Sequence, residues 1–424
     1  MRFPVGGLLL LTSVLSPVVS PVPVAEEPLD RIEVLGQLLG GSPSQFVAYG
    51  LSRRGMASKP DKAYLEVLKN AGASKVLLKA VRSAKRRRPI SDDPQAALRE
   101  ILVIEHLSRA SELLQREEVA GVEVEYRAAV EAFPEKPILH ELLGEVLRRL
   151  GKTEGAVAEF REAVRLSPER PRAHFLLGWA LASARDQDGA IEHVRIALRF
   201  RPESPIMHNS LGLVLFQKGD VDAAIVEYRE AIRLWPDFAA AHFNFGNALY
   251  AKHDFEGAVA RYRAVQRLSP DYADLHNNLG TALAAWGDLD GAVEAFKNAL
   301  EQKPDDPRAH FNLAIVLQKR GDLSAAVEEF RVAARLNLTD AEIHFFFGNA
   351  LIAQGDRDGA VAEYRTALGL RPDYADAHYN LGYALLLMGD REGAVREFRA
   401  SCELASKEAD RTEVCRSLMK GAKP

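Results

Sequence analysis

The chain has 424 residues, of which 47% are hydrophobic and 27% are charged, and its formal net charge is −4. This balance is typical of a soluble folded protein, and the length suits two or three ordinary domains or one long repeat array. A nearly neutral chain gives no support for a nucleic-acid partner, which would require a basic face. The basic run "KRRR" at 85–88 precedes "PISDDPQ", which favours a solvated linker.

Residues 1–25 read as a secretory signal. An arginine is followed by an apolar stretch and then by small residues and prolines, which is the order of such a signal. Ala25 suits the last residue before cleavage, although Pro23 fits poorly at its position. We therefore expect an exported bacterial protein, periplasmic or secreted, with an uncleaved membrane anchor as the alternative. No later stretch reaches transmembrane length, so we expect no integral membrane span in the mature chain.

Residues 26–88 precede the regular part of the chain. The stretches "VLGQLLGGSPSQFVAYGLSRRG" and "YLEVLKNAGASKVLLKAVRSAK" each alternate apolar runs with Gly and Ser, which predicts two similar helix–turn–helix units. We expect a small helical domain with an interaction or capping role. Residues 89–102 are expected to link this domain to the regular part.

A histidine recurs every 34 residues without insertion. The series is His106, His140, His174, His208, His242, His276, His310, His344 and His378, and only His193 and His253 lie outside it. With this histidine at position 4, the units cover 103–136, 137–170, 171–204, 205–238, 239–272, 273–306, 307–340, 341–374 and 375–408. The unit at 103–136 is degenerate, because Ala110 occupies its glycine position. Periods of this length are typical of repeat architectures.

Each unit predicts a pair of helices. Positions 4, 7, 8 and 11 form one helical stripe, for example His242, Phe245, Gly246 and Leu249. A small residue at position 8 lets a second helix approach, and that helix carries its own stripe at positions 20, 24 and 27. A Gly-Asp pair between the helices predicts a left-handed C-terminus and then an N-cap. Proline at position 32 predicts the end of the second helix.

These positions resemble the tetratricopeptide repeat (TPR) family over nine repeats covering 103–408. The departure is position 4, where the family often has tryptophan and this chain has histidine. The resemblance implies an all-α, right-handed solenoid superhelix. The phrase "AHxNLG" is similar to repeats of O-linked N-acetylglucosamine transferases. Those enzymes have a large catalytic domain after the repeats, whereas 16 residues follow here. With no catalytic motif found either, we expect a chain that is not an enzyme and has no cofactor.

The histidines are predicted to pack, because position 4 lies on the stripe that faces a neighbouring helix. Side chains related by translation point the same way and do not converge as metal ligands must, so we expect no metal site. The open alternative is a pH-sensitive stack, in which partly buried histidines become charged below about pH 6 and loosen the array.

The candidate binding surface is the opposite face of the first helices, which the TPR resemblance places in the concave groove. Its asparagines could clamp the backbone of an extended peptide, and its aromatic side chains could anchor a partner. The alternative is that position 5 packs against the adjacent helix and that the asparagines have no binding role. The asparagines are Asn244, Asn247, Asn277, Asn278, Asn312, Asn349 and Asn380; the aromatic residues are Trp179, Phe243, Tyr250, Phe311, Phe345, Tyr379 and Tyr383.

The last segment, 409–424, is expected to form a helix that caps the open end of the array. Cys402 and Cys415 would then be buried, either as two small apolar side chains or as a disulfide in an oxidising compartment. Three functions remain open: a scaffold or adaptor that binds a protein or peptide, a subunit that presents substrates to a separately encoded enzyme, and a structural spacer without a groove ligand.

Overall fold

The computed structural model describes residues 31–40, 60, 62–83, 94–272 and 274–405. All regular structure in these ranges is helical, as expected. The helices are α1 (Arg31–Leu39), α2 (Lys62–Asn70), α3 (Lys75–Ser83), α4 (Pro94–Gln115), α5 (Val119–Ala132), α6 (Pro137–Arg149), α7 (Thr153–Leu166), α8 (Pro171–Ser183), α9 (Gln187–Phe200), α10 (Pro205–Lys218), α11 (Val221–Leu234), α12 (Ala239–Ala251), α13 (Phe255–Leu268), α14 (Leu275–Trp286), α15 (Leu289–Gln302), α16 (Pro307–Arg320), α17 (Leu323–Leu336), α18 (Ala341–Gln354), α19 (Arg357–Leu370), α20 (Ala375–Leu387) and α21 (Arg391–Ala405).

From α4 onward, each repeat forms one helical hairpin. The chain divides into two compact units, one ending at Pro236 and the other beginning at Asp237. The first unit holds the hairpins α4/α5 to α10/α11, and the second holds α12/α13 to α20/α21. Within each unit, the second helix of a hairpin packs against the first helix of the next hairpin. This stacking confirms the predicted all-α solenoid architecture.

A small residue at position 8 lets the two helices of a hairpin touch. A Cβ built on Gly246 would lie 2.6 Å from the ring of Tyr262, and one built on Gly144 would lie 2.6 Å from the ring of Phe160. Both ring-bearing residues are fully buried. The position-8 and position-24 pair therefore forms the centre of each hairpin, which agrees with the prediction from the sequence.

The Gly-Asp connections form as predicted with one exception. The five glycines all have a left-handed backbone, with φ between 88° and 101°. Four of the five following aspartates cap the next helix, for example Asp288, which accepts from the N–H of Gly291 at 2.9 Å. Asp322 does not cap its helix. Its carboxylate pairs with Arg320 instead.

Two helix ends differ from the simple sequence rules. Helix α4 begins at Pro94, inside the segment expected as a linker, because proline is well tolerated in the first turn of a helix. Helix α17 ends at Leu336 although Leu338 replaces the usual proline. Asp340 caps the following helix by accepting from the N–H of Glu342, so the turn forms without proline.

Candidate functional site

The repeated histidines join the two helices of their own hairpin. In six repeats, Nδ1 of the histidine contacts a glutamate at position 23, on the second helix. The pairs are His106–Glu125, His140–Glu159, His208–Glu227, His310–Glu329, His344–Glu363 and His378–Glu397, with N–O distances of 2.6–2.7 Å. In five repeats, Nε2 contacts the carbonyl at position 32 of the preceding repeat, as His140 does with Pro134 at 2.8 Å. The packing prediction is confirmed, and a hydrogen-bonding role is added to it.

These contacts oppose the loosening at acid pH that was the open alternative. Burial lowers the pKa of His140, but the hydrogen bonds to Glu159 and to the Pro134 carbonyl outweigh it, and the net pKa is raised. The pKa of His208 is raised for the same reasons, with Glu227 and Pro202 as partners. The fold therefore stabilises a charged imidazolium at these two positions. The alternative, in which charging of the histidines loosens the array, is wrong for His140 and His208.

One repeat replaces the glutamate with a second histidine. Nδ1 of His174 lies 3.0 Å from Nδ1 of His193, and the two rings stack with centroids 5.2 Å apart. Burial and the nearby His174 lower the pKa of His193. In another repeat Ala295 takes the glutamate position, and Nδ1 of His276 is buried with no hydrogen-bond partner within the described residues.

The predicted asparagines form two matched clusters. Oδ1 of Asn247 accepts from the hydroxyl of Tyr262 at 2.6 Å and from Nδ2 of Asn278 at 3.0 Å. Asn349 is placed in the same way, with Tyr364 at 2.8 Å and Asn380 at 2.7 Å. Each cluster joins position 9 of one first helix to position 6 of the next. The hydroxyls of Tyr262 and Tyr364 were not anticipated, although an aromatic residue at position 24 was visible in the repeat.

The other three asparagines differ from one another. Asn277 is buried, and its Nδ2 donates to Asp306 at 3.0 Å, so it belongs to the packing between repeats. Asn244 and Asn312 are half-buried at position 6. The asparagine face therefore consists of the two clusters with Asn312 between them and Asn244 before them.

Most position-5 aromatic residues pack inside the hairpins. Phe243 contacts Tyr262 and Tyr272, with ring centroids 5.7 and 4.9 Å apart. Phe345 is buried against Tyr364 and Tyr374. Phe311 lies against Phe330 and Phe346, with ring centroids 5.9 and 5.6 Å apart, and Tyr250, at position 12, lies 5.4 Å from Phe255. These contacts support the alternative that position 5 serves packing.

Three predicted aromatic residues remain open to solvent or partly so. Tyr379 and Tyr383 lie on α20, the first helix of the last repeat, and are 47% and 46% exposed. Trp179 is half-buried, and the guanidinium of Arg148 lies 4.6 Å from its ring centroid. Trp179 also lines a shallow cleft with Phe175. The side chains of these three residues therefore have exposed surface that a partner could contact.

The cysteine pair is only half described by the structure. Cys402 is buried on α21, but Cys415 lies outside the described residues, so the disulfide stays a prediction. Over the described ranges, no group of three or more His, Cys, Asp or Glu side chains is placed to hold a metal ion. In the same ranges, no helix is both long enough and apolar enough to cross a membrane.

Comparison with protein-family models decides the family. Residues 205–416, half of the chain, match the model of the cilia and flagella-associated protein 70 C-terminal domain, a TPR model. Residues 107–171 and 143–205 match a second tetratricopeptide repeat model. The chain belongs to the TPR family. No curated protein matches it.

Solved TPR structures are similar to parts of the chain. A crystal structure of MamA is 24% identical, with a TM-score of 0.37, and the match covers 38% of this chain and 95% of that one. YrrB, titled a TPR protein with an unusual peptide-binding site, is 22% identical with a TM-score of 0.40, over 44% and 97% of the two chains. PilF of Pseudomonas aeruginosa is 23% identical with a TM-score of 0.43, over 48% and 92%.

Proposed function

We propose that the repeats from Ala239 onward bind an extended segment of a protein partner, and that the chain acts as a non-enzymatic scaffold or adaptor. The proposed surface is the groove face, defined as positions 2, 6 and 9 of the first helices. The observation that carries the proposal is the pair of asparagine clusters at Asn247/Asn278 and Asn349/Asn380.

Each cluster holds its amides in place without using all of their hydrogen-bonding capacity. Oδ1 of Asn247 accepts two bonds, while the amide N–H groups of the same side chain are not used in the cluster. Asn278 donates one N–H, and its own Oδ1 is not used there. An amide has both donor and acceptor groups. Each cluster can therefore offer a donor and an acceptor, which is what the backbone of an extended peptide requires.

The charge of the groove face indicates which part of a partner would bind. From Ala239 onward, positions 2, 6 and 9 carry a single cation, Arg308. A terminal carboxylate would require paired cations at such positions. The groove face therefore suits an internal segment of the partner.

Capture from native cell extract tests this function. The bait is the chain from residue 26, compared with an Asn278→Ala/Asn380→Ala variant, which leaves the tyrosine bonds of Asn247 and Asn349 in place. The matched control is Asn298→Ala, on a second helix. We expect a partner that binds the parent and the control but not the double variant. Equal capture by all three proteins would refute recognition by these amides.

Location outside the cytoplasm is a separate proposal that rests on residues 1–25. Fractionation of cells that express the full chain tests it. We expect the protein in the periplasmic or medium fraction with a shortened N-terminus. Recovery of the full-length chain with the membranes would support the anchored alternative.

A further inference from the structure

Helix α1 lies on the repeats. It packs against α4 and α6, the first helices of the first two repeats. Its Ile32, Val34 and Leu35 are fully buried. The approach is close at Gly36, where an added Cβ would lie 2.5 Å from Cγ1 of Ile138. A nine-residue helix from outside the repeat array thus occupies a surface of the array.

The covered surface belongs to the groove face. Ile138 and Leu142 stand at positions 2 and 6 of their repeat, and both are buried. On α4, Ile104 at position 2 is also buried. In three later repeats both positions carry polar residues, for example Asp274 and Asn278 or Arg308 and Asn312. Positions 2 and 6 of the repeat 137–170, beneath α1, are therefore apolar where those three repeats are polar.

A charged cluster holds one side of the helix. The side chain of Glu141 is completely buried and pairs with both Arg170 and Arg172. Helix α1 adds Glu33, which lies 2.7 Å from Nη1 of Arg170. It also adds the carbonyl of Gly40, to which Arg172 donates at 2.6 Å. The two arginines are thus matched by two carboxylates only while α1 is in place.

Without α1, the cluster would carry excess positive charge. Two guanidinium groups would face the single carboxylate of Glu141, and Arg201 lies close enough to respond to both of them. Burial lowers the pKa of Arg201, and the charges of Arg172 and Arg170 lower it further. Buried charges require a partner. The site therefore favours an occupant that combines an apolar face with a carboxylate.

We propose that α1 is a displaceable internal ligand of the groove face over the first three repeats, and that the same site accepts an amphipathic helix of a partner protein. The partner helix would present an apolar stripe to Ile138 and Leu142, a carboxylate to Arg170 and its C-terminal carbonyls to Arg172. A short helix gains its stability from packing, so it can exchange with a better one. This proposal concerns other repeats than the asparagine clusters and does not rest on the function proposed for them.

A peptide with the sequence of residues 26–42 is the probe for this site. We compare its binding, by fluorescence anisotropy, to the parent chain and to a Gly36→Leu variant, whose own α1 is too bulky to sit on Ile138. We expect the variant to bind the peptide at least tenfold more tightly than the parent, in which the site is filled. A Glu33→Lys version of the peptide should lose at least tenfold in affinity for the variant. No binding to the variant, or equal binding to both proteins, would overturn the proposal.

Hydrogen exchange on the unmodified chain gives a second test that does not depend on a variant. A displaceable helix opens more readily than the repeat beneath it. We expect the amides of α1 to exchange at least tenfold faster than those of α6. Equal protection of the two helices would mean that α1 is a fixed part of the array, and would contradict the proposal.

Discussion

Nδ1 of His140 lies 2.7 Å from Oε2 of Glu159, and Nε2 of the same ring lies 2.8 Å from the carbonyl of Pro134. One side chain therefore connects the first helix, the second helix and the end of the preceding repeat. An indole has a single N–H donor and could make only one such bond. The histidine at a position where the TPR family often has tryptophan has a specific structural role.

The first prediction concerns pH. The folded pKa values of His140 and His208 are raised, so their contribution to stability is complete below the unfolded pKa of about 6.5 and is lost as pH rises through the folded value. Glu159→Gln keeps an acceptor but removes the charge. We expect this substitution to lower the free energy of unfolding by about 1 kcal/mol at pH 5.5 and by less at pH 8. Urea unfolding at both pH values measures the difference; a larger cost at pH 8 would refute the assignment.

The His174–His193 pair should behave in the opposite way. The folded pKa of His193 is lowered, so its contribution is present above about pH 6.5 and is lost as the pH falls below that unfolded value. His193 is also exposed to the charges of Glu192, Arg161 and Asp186. A His193→Glu change restores the pairing seen in other repeats. We expect it to raise the melting temperature at pH 5.5 by more than at pH 7.5. A gain confined to pH 7.5 would contradict this.

The tyrosine hydroxyls at position 24 provide a matched comparison. The hydroxyl of Tyr262 is bonded to Asn247, and burial raises the pKa of Tyr262. The hydroxyl of Tyr228 is buried with no hydrogen-bond partner within the described residues, since Leu213 stands where Asn247 would be. We expect Tyr262→Phe to lower the free energy of unfolding by about 1 kcal/mol and Tyr228→Phe to leave it unchanged or raise it. Thermal unfolding of both variants decides the matter, and equal losses would show that the asparagine bond contributes nothing.

Three connections between the helices of a hairpin carry a non-glycine residue in the left-handed conformation. Glu117, Arg185 and His253 have φ values of 60°, 66° and 61°, where other repeats place glycine. This conformation costs an L-residue roughly 1–2 kcal/mol. We expect Arg185→Gly and His253→Gly each to stabilise the chain by about 0.5–1 kcal/mol. Gly321→Ala is the reverse control and should destabilise it. A loss of stability in both glycine variants would show that these side chains make contacts worth more than the strain.

The period of 34 residues allowed much of the fold to be predicted. The histidine, glycine and Gly-Asp positions lie within one hairpin or at its ends, so local spacing determines their role. The glutamate partner of six of the nine histidines could also have been found, because it recurs at a constant spacing of 19 residues. Helical stripes alone do not reveal it, since they assign the histidine to packing and say nothing of its hydrogen-bond partner.

The contacts that could not be predicted are those without a repeating signal. Arg170 and Glu33 are 137 residues apart, and nothing in the period relates them. The prediction also counted the position-5 aromatic residues among the groove residues, whereas large rings such as Phe243 turn toward the second helix. Among the Gly-Asp connections, Asp322 alone does not cap the helix that follows, because its carboxylate pairs with Arg320 instead. Such competition between neighbours has to be seen in three dimensions.

Photo-crosslinking tests most directly whether the groove face is the recognition surface. A benzoylphenylalanine replaces Asn312, between the two asparagine clusters, or, as the control, Leu338, which is 68% exposed in a connection between repeats. Each full-length protein is irradiated in native extract. We predict a discrete adduct with a partner from position 312 and none from position 338. An adduct from position 338 alone would contradict the groove account.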